Sequence, residues 1–124
     1  MFKKVLVTEL IEDGKALLQA LIRNRFPMTG AVWYDFPEAD WRLVIVSSAV
    51  DQSGPMAAYA RVQRALQSFQ PSRLTLNDIT LIGPSSQEFQ NLRGLLSVPG
   101  RFGHPPAGSP VRNVIFEDAY VYQF

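Results

Sequence analysis

The sequence predicts an α+β fold: a single-layer antiparallel or mixed sheet of four to five strands packed by two to three helices. Three observations carry that prediction. Apolar residues recur at helical spacing near the start of the chain, two β-rich stretches follow around a short polar connection, and a strand, Gly-Pro turn, helix pattern then comes up twice. The 124 residues suit one ordinary domain, 1–124, and a composition of 47% hydrophobic and 19% charged residues is enough to bury a core and argues against disorder.

Leu6, Leu10, Leu17, Leu18, Leu21 and Ile22 recur at helical spacing while Glu9, Glu12, Lys15, Gln19 and Arg23 mostly face elsewhere, so the first element is an amphipathic helix. It ends near Arg25, because Pro27 lacks a donor and turns the residue before it away from helical geometry. GAVWYDF and WRLVIVSSAV are rich in β-branched and aromatic residues, and PEAD between them carries turn formers, so they read as a β-hairpin. The unbroken run Leu43, Val44, Ile45, Val46 makes the second strand a central one, covered on both faces.

After the turn DQSGP, the residues Met56, Tyr59, Val62, Leu66 and Phe69 form the apolar stripe of a second helix, with Arg61, Gln63, Arg64 and Gln67 away from it. Residues 78 to 83 alternate as a strand, a Gly-Pro-Ser turn follows, and a shorter helix runs over residues 86 to 96. SVPGRFGHPPAGSPVRN, rich in proline and glycine, reads as a long loop. The chain closes on VRNVIFEDAYVYQF, a docked strand bent or bulged at Glu117 and Asp118.

A formal net charge of +1 provides no overall attraction to a polyanion and leaves only local patches. With no cysteine there is no disulfide, no thiolate nucleophile and no sulfur-ligated zinc, which suits a reducing compartment. MFKKVLVTELIEDGKALL is not a secretion signal, because Glu9, Glu12 and Asp13 interrupt the run that such a signal keeps apolar. No apolar run approaches the roughly 18 residues of a membrane span. The expectation is a soluble, cytoplasmic protein with no membrane partner.

The turn DQSGP poses the first functional question. Free N–H groups at a helix start hold phosphate or carboxylate, which makes Ser53 and Gly54 candidates for an anion. A cap explains the same residues: Ser53 or Gly54 caps the helix, Pro55 fits its first turn, and Asp51 supplies a negative charge of its own. A phosphate-binding loop is ruled out, since neither its glycine spacing nor its lysine is present, and no lysine follows Lys15. Arg61 and Arg64, one turn apart, are the candidates for nucleic acid, against a plain solvated helix face.

Asp51, Asp78 and Glu117 stand at strand ends or in a strand, where carboxylates from different strands could meet around magnesium or manganese in a hydrolase or nuclease. Acids at strand ends are equally ordinary turn formers. His104 is the only histidine, and RFGHPPAG signals no partner that would position it for acid/base work. No GxSxG elbow accompanies the serines, and no cofactor is expected.

Trp33, Tyr34, Phe36 and Trp41 crowd the hairpin, and alternation puts Trp33 and Asp35 on one face and Tyr34 and Phe36 on the other. With one face solvated, the aromatics would serve self-association or a protein partner; with helices over both faces they belong to the core. The stretches AVWYDFPEADWRLVIVSSAVDQSGPMAAYARVQ, LTLNDITLIGPS and VIFEDAYVYQF resemble a group of uncharacterised small bacterial proteins. The resemblance implies a free-standing bacterial protein and brings no activity, ligand or functional residue with it. The expected function is a non-enzymatic interaction or accessory protein that self-associates as a homodimer. A carboxylate-dependent metal hydrolase or nuclease and a nucleic-acid-binding protein are the alternatives.

Overall fold

The computed structural model describes residues 8–36, 40–71, 73–96, 112–115 and 119–123. Helix α1 spans Thr8–Arg23, strands β1 and β2 span Gly30–Phe36 and Asp40–Val46, and two helices follow directly, α2 over Ser48–Ser53 and α3 over Pro55–Gln67. A 3-10 turn at Leu76–Asp78 leads into β3, Ile79–Ile82; then come α4, Gln87–Leu96, and strands β4, Arg112–Ile115, and β5, Ala119–Gln123. The five strands form one sheet in the order β3-β2-β1-β5-β4. β2 and β3 run parallel, joined by the α2–α3 crossover, and every other pair is antiparallel, so the sheet is mixed and the fold is α+β.

The hairpin pairs Gly30 with Val46 through Phe36 with Asp40, and β2 lies between β1 and β3 with Leu43, Val44, Ile45 and Val46 all buried. That is the central strand expected of an unbroken apolar run. β2 stops at Val46, short of the SSAV that the sequence pattern included. Ser47 has extended backbone, its Oγ accepts from the Ala49 N–H at 3.1 Å and donates to the Pro27 carbonyl at 2.5 Å, and a hydroxyl cap of this kind starts a helix where β-branched content alone suggested more strand. The C-terminal stretch is likewise two strands. β4 pairs antiparallel with β5 from Arg112 opposite Gln123 to Ile115 opposite Tyr120, which gives β5 a hydrogen-bonded neighbour on each side. Glu117, Asp118 and residues 97–111, with His104, lie outside the described residues, and the last two residues of the expected loop, Arg112 and Asn113, belong to β4, since pairing with β5 overrides local composition.

Both faces of the sheet are covered, as period-two alternation in a buried sheet requires. Ala31, Trp33, Leu43, Ile45, Ile79, Leu81 and Tyr122 pack beneath α1 and α3, chiefly against Leu17, Leu18, Leu21, Val62 and Leu66. Val32, Tyr34, Val44, Ala119 and Val121 form the opposite face with Leu92 of α4. The stripe of α3 is Ala58, Val62, Ala65 and Leu66, with Tyr59 and Phe69 at its margin. Met56, read from spacing as part of that stripe, is 87% exposed. At about 100° per residue Met56 lies roughly 120° around the helix from Val62, off the buried stripe that Ala58 already joins in the same first turn.

Two polar contacts hold α1 in place from within. The Tyr122 hydroxyl donates to the Ile11 carbonyl at 2.7 Å and accepts from the Trp33 indole N–H at 3.0 Å, so a buried polar chain ties helix to sheet. Burial is the main cause that pushes the Tyr122 phenol well above its usual range, with the Trp33 hydrogen bond acting in the opposite sense. Gly14 allows this approach, since a Cβ there would stand 2.4 Å from the Tyr122 oxygen. One residue earlier, Asp13, 8% exposed, accepts from the backbone N–H groups of Arg73 and Leu74 at 2.7 and 3.1 Å and fixes the entry to β3. Among the described residues no helix is long and apolar enough to cross a membrane.

Candidate functional site

The end of α1 is built by a two-bond cap. The Phe26 N–H bonds to the Leu21 carbonyl and the Arg25 N–H to the Ile22 carbonyl, at 2.9 and 3.0 Å, and the chain reverses through Arg25 in the left-handed region at φ 58°. Glycine usually occupies that position, because a side chain there costs about 1 kcal/mol. The apolar contact that accompanies such caps is made by Leu21 and Phe26, both buried. α3 packs alongside α1, and the seam between them opens at this end into a half-open cleft of about 260 Å³ lined by Leu21, Asn24, Phe26, Arg61, Arg64 and Ala65.

The cleft has an apolar floor and a cationic rim. Arg61 and Arg64 project from successive turns of α3, a spacing that puts their Cβ atoms about 5–6 Å apart on one face. The Arg61 guanidinium lies over the Phe26 ring, 4.9 Å from its centre, a cation–π contact that restrains the side chain without using its N–H donors in an ion pair. Arg64 is exposed. Among the described residues neither arginine has a carboxylate partner, whereas Arg73 is bridged to Glu9 at 3.0 Å.

The surroundings add charge of the same sign. Residues 14–34 and 52–77 contain no acid, yet they hold Lys15, Arg23, Arg25, Arg61, Arg64 and Arg73, half of the chain's 12 basic residues. The fold lays the helical parts of these two acid-free stretches side by side. The exposed side chains of Arg23 and Arg25 flank Asn24 on the cleft's edge. Part of this charge answers helix dipoles: Arg23 lies in the last turn of α1 and Arg64 in the last turn of α3. That account does not extend to Arg61. A net charge of +1 hides this segregation; scanning for long acid-free stretches would have found it, though not the contact between them.

The other candidates are placed apart. Gly54 is the N-cap of α3, at φ 86°, with Pro55 in the first turn, so the turn DQSGP is accounted for by capping; Ser53 is the last residue of α2 and caps nothing. Arg61 and Arg64 sit two and three turns beyond Gly54, about 10 and 15 Å along the axis, and form no common site with it. Asp51 accepts from Ser85 Oγ at 2.8 Å and lies against Gly83, just after β3, while Asp78 caps the 3-10 turn just before β3 through Thr75. Roughly 16 Å of strand separates these two acids. Among the described residues no three His, Cys, Asp or Glu side chains gather to hold a metal. Of the hairpin aromatics, Trp33 is fully buried under α1 and Tyr34 is 8% exposed; Phe36 and Trp41 are half-buried, packed on the opposite and the helical core respectively. The hairpin therefore has no stripe of exposed aromatic surface of the kind expected of a solvated sheet face.

Comparison with family models, with curated proteins and with solved structures found no match.

Proposed function

We propose that this chain is an accessory binding protein whose ligand-binding face is the arginine cleft between α1 and α3, and that its ligand carries phosphate or a comparable oxyanion. The observation that carries the reading is the pair Arg61 and Arg64, lining one concavity with no carboxylate partner among the described residues. Guanidinium groups offer paired N–H donors matched to phosphate oxygens, and one of the two is held in place by Phe26 before any ligand arrives. The self-association expected of the aromatic hairpin has less support, because Trp33 and Tyr34 are buried on the two faces of the sheet.

The test is thermal melting in inorganic pyrophosphate against sodium chloride at matched ionic strength. Ligand that binds only the folded state raises the melting temperature progressively as its concentration passes the dissociation constant. Wild-type protein is expected to gain stability from pyrophosphate and Arg64→Glu to gain none. Equal behaviour of the two proteins would remove the cleft from consideration.

A further inference from the structure

The rim of the cleft extends beyond what a small anion needs, and this points to the class of ligand. Arg61 and Arg64 lie within the cleft, Asn24 stands at its edge, and Arg23 and Arg25 continue the positive charge along the end of α1, outside the concavity. A single phosphate would be satisfied by the two inner guanidinium groups. Four arginines from two adjoining segments, with no acid in either segment, suit a chain of phosphates. The use of Arg25 at the left-handed cap position is in keeping with this: glycine is the unstrained choice, and the residue found there instead carries a cation to the edge of the cleft.

We infer that the ligand is a single-stranded nucleic acid, whose backbone runs from the Arg61–Arg64 pair over Asn24 to Arg25 and Arg23. This rests on the cleft being the binding face, as proposed above. Single strand is favoured over duplex by shape. The charged region is a hollow with an apolar floor, a shape that receives an unstacked base, whereas a duplex keeps its bases paired and stacked within its grooves. The hollow is the size of one small group, and the planar guanidinium of Arg61, held over Phe26 at its rim, is a group on which a base can stack. The contacts described are to phosphate and to a π-face, so the binding is tolerant of sequence.

The experiment is fluorescence anisotropy of the full chain with a labelled twelve-nucleotide single strand, repeated across salt concentration, with the corresponding duplex, uridine monophosphate, inorganic pyrophosphate and polyglutamate as comparators. The single strand is expected to bind more tightly than duplex or mononucleotide, with affinity that falls as salt rises. Arg61→Ala and Arg64→Glu are each expected to weaken it about tenfold or more, and together to reduce the logarithmic salt slope by about 1.4, which is two phosphate contacts. Arg25→Gly provides a readout that a structural role would not produce: it relieves the cap, so the protein melts higher, yet the oligonucleotide binds less tightly. Pyrophosphate binding that depends on Arg64, with no added affinity for the strand, would overturn the nucleic-acid inference and leave the cleft standing. Equal binding of polyglutamate or duplex would also overturn it. Failure of every anion to bind would overturn both.

Discussion

Replacing Gly14 by alanine distinguishes a buried polar chain from ordinary helix packing. In an unconstrained helix interior the change stabilises by about 1 kcal/mol through propensity alone. Here the new Cβ would stand 2.4 Å from the Tyr122 hydroxyl and 3.0 Å from the Trp33 indole nitrogen. The tyrosine must retreat by about 1 Å to reach ordinary contact, and hydrogen bonds of 2.7 Å to Ile11 and 3.0 Å from Trp33 do not both survive such a movement. Overpacking costs about 1–3 kcal/mol and a stranded buried polar group about 1–3 kcal/mol, so Gly14→Ala is expected to destabilise by about 1–5 kcal/mol after the propensity gain. That is a large share of the 5–15 kcal/mol typical of a domain. Urea unfolding followed by tryptophan fluorescence measures it. In a Tyr122→Phe background the closest atom is gone, the contacts at 3.0 Å to Trp33 and 3.2 Å to the ring remain, and the alanine costs less, so the pair should couple by about 1–2 kcal/mol. A stabilising Gly14→Ala, or strict additivity with Tyr122→Phe, would refute the reasoning.

Other consequences can be measured in the same way. Arg25→Gly removes a side chain from the left-handed region and should stabilise by about 0.5–1 kcal/mol, read as a higher urea midpoint with an unchanged slope. Ser47→Ala deletes both the α2 cap and the bond to Pro27, and should cost about 1–3 kcal/mol by the same titration. The Tyr122 phenol is raised by burial, so its neutral form stabilises the fold fully below the usual phenol value of 10.0. Above that pH the unfolded chain sheds this proton while the folded chain keeps it. Stability then falls by about 1.4 kcal/mol per pH unit, and Tyr122→Phe should remove that contribution from an alkaline titration.

The architecture was legible wherever local pattern and burial agree. The run Leu43 to Val46 announced a central strand, and PEAD between two β-rich stretches announced a hairpin, because strand period and turn chemistry are properties of neighbouring residues. Local reading failed where one side chain overrode composition. Ser47 turns a β-rich stretch into a helix by capping it, and the C-terminal alternation continues across what are two strands, since alternation does not record a reversal. Met56 matched the spacing of an apolar stripe and still faces solvent, because two successive three-residue steps, Met56 to Tyr59 to Val62, drift about 120° around the helix.

Of the site, Arg61 and Arg64 were visible as a pair one turn apart, but their setting was not. That setting depends on α1 lying beside α3 and on the cap that brings Phe26 beneath Arg61, both long-range facts. The hairpin aromatics show the reverse. Trp33 drew attention by its type, and its place is a polar bond to Tyr122, 89 residues away in sequence.

The most direct measurement is a titration of isotopically labelled protein with inorganic pyrophosphate, read as amide and arginine side-chain chemical-shift changes. The account predicts changes centred on Asn24, Phe26, Arg61, Arg64 and Ala65, the residues that share the cleft. Changes centred on the β1–β2 hairpin or on the turn at Gly54, or none at saturating pyrophosphate, would contradict it.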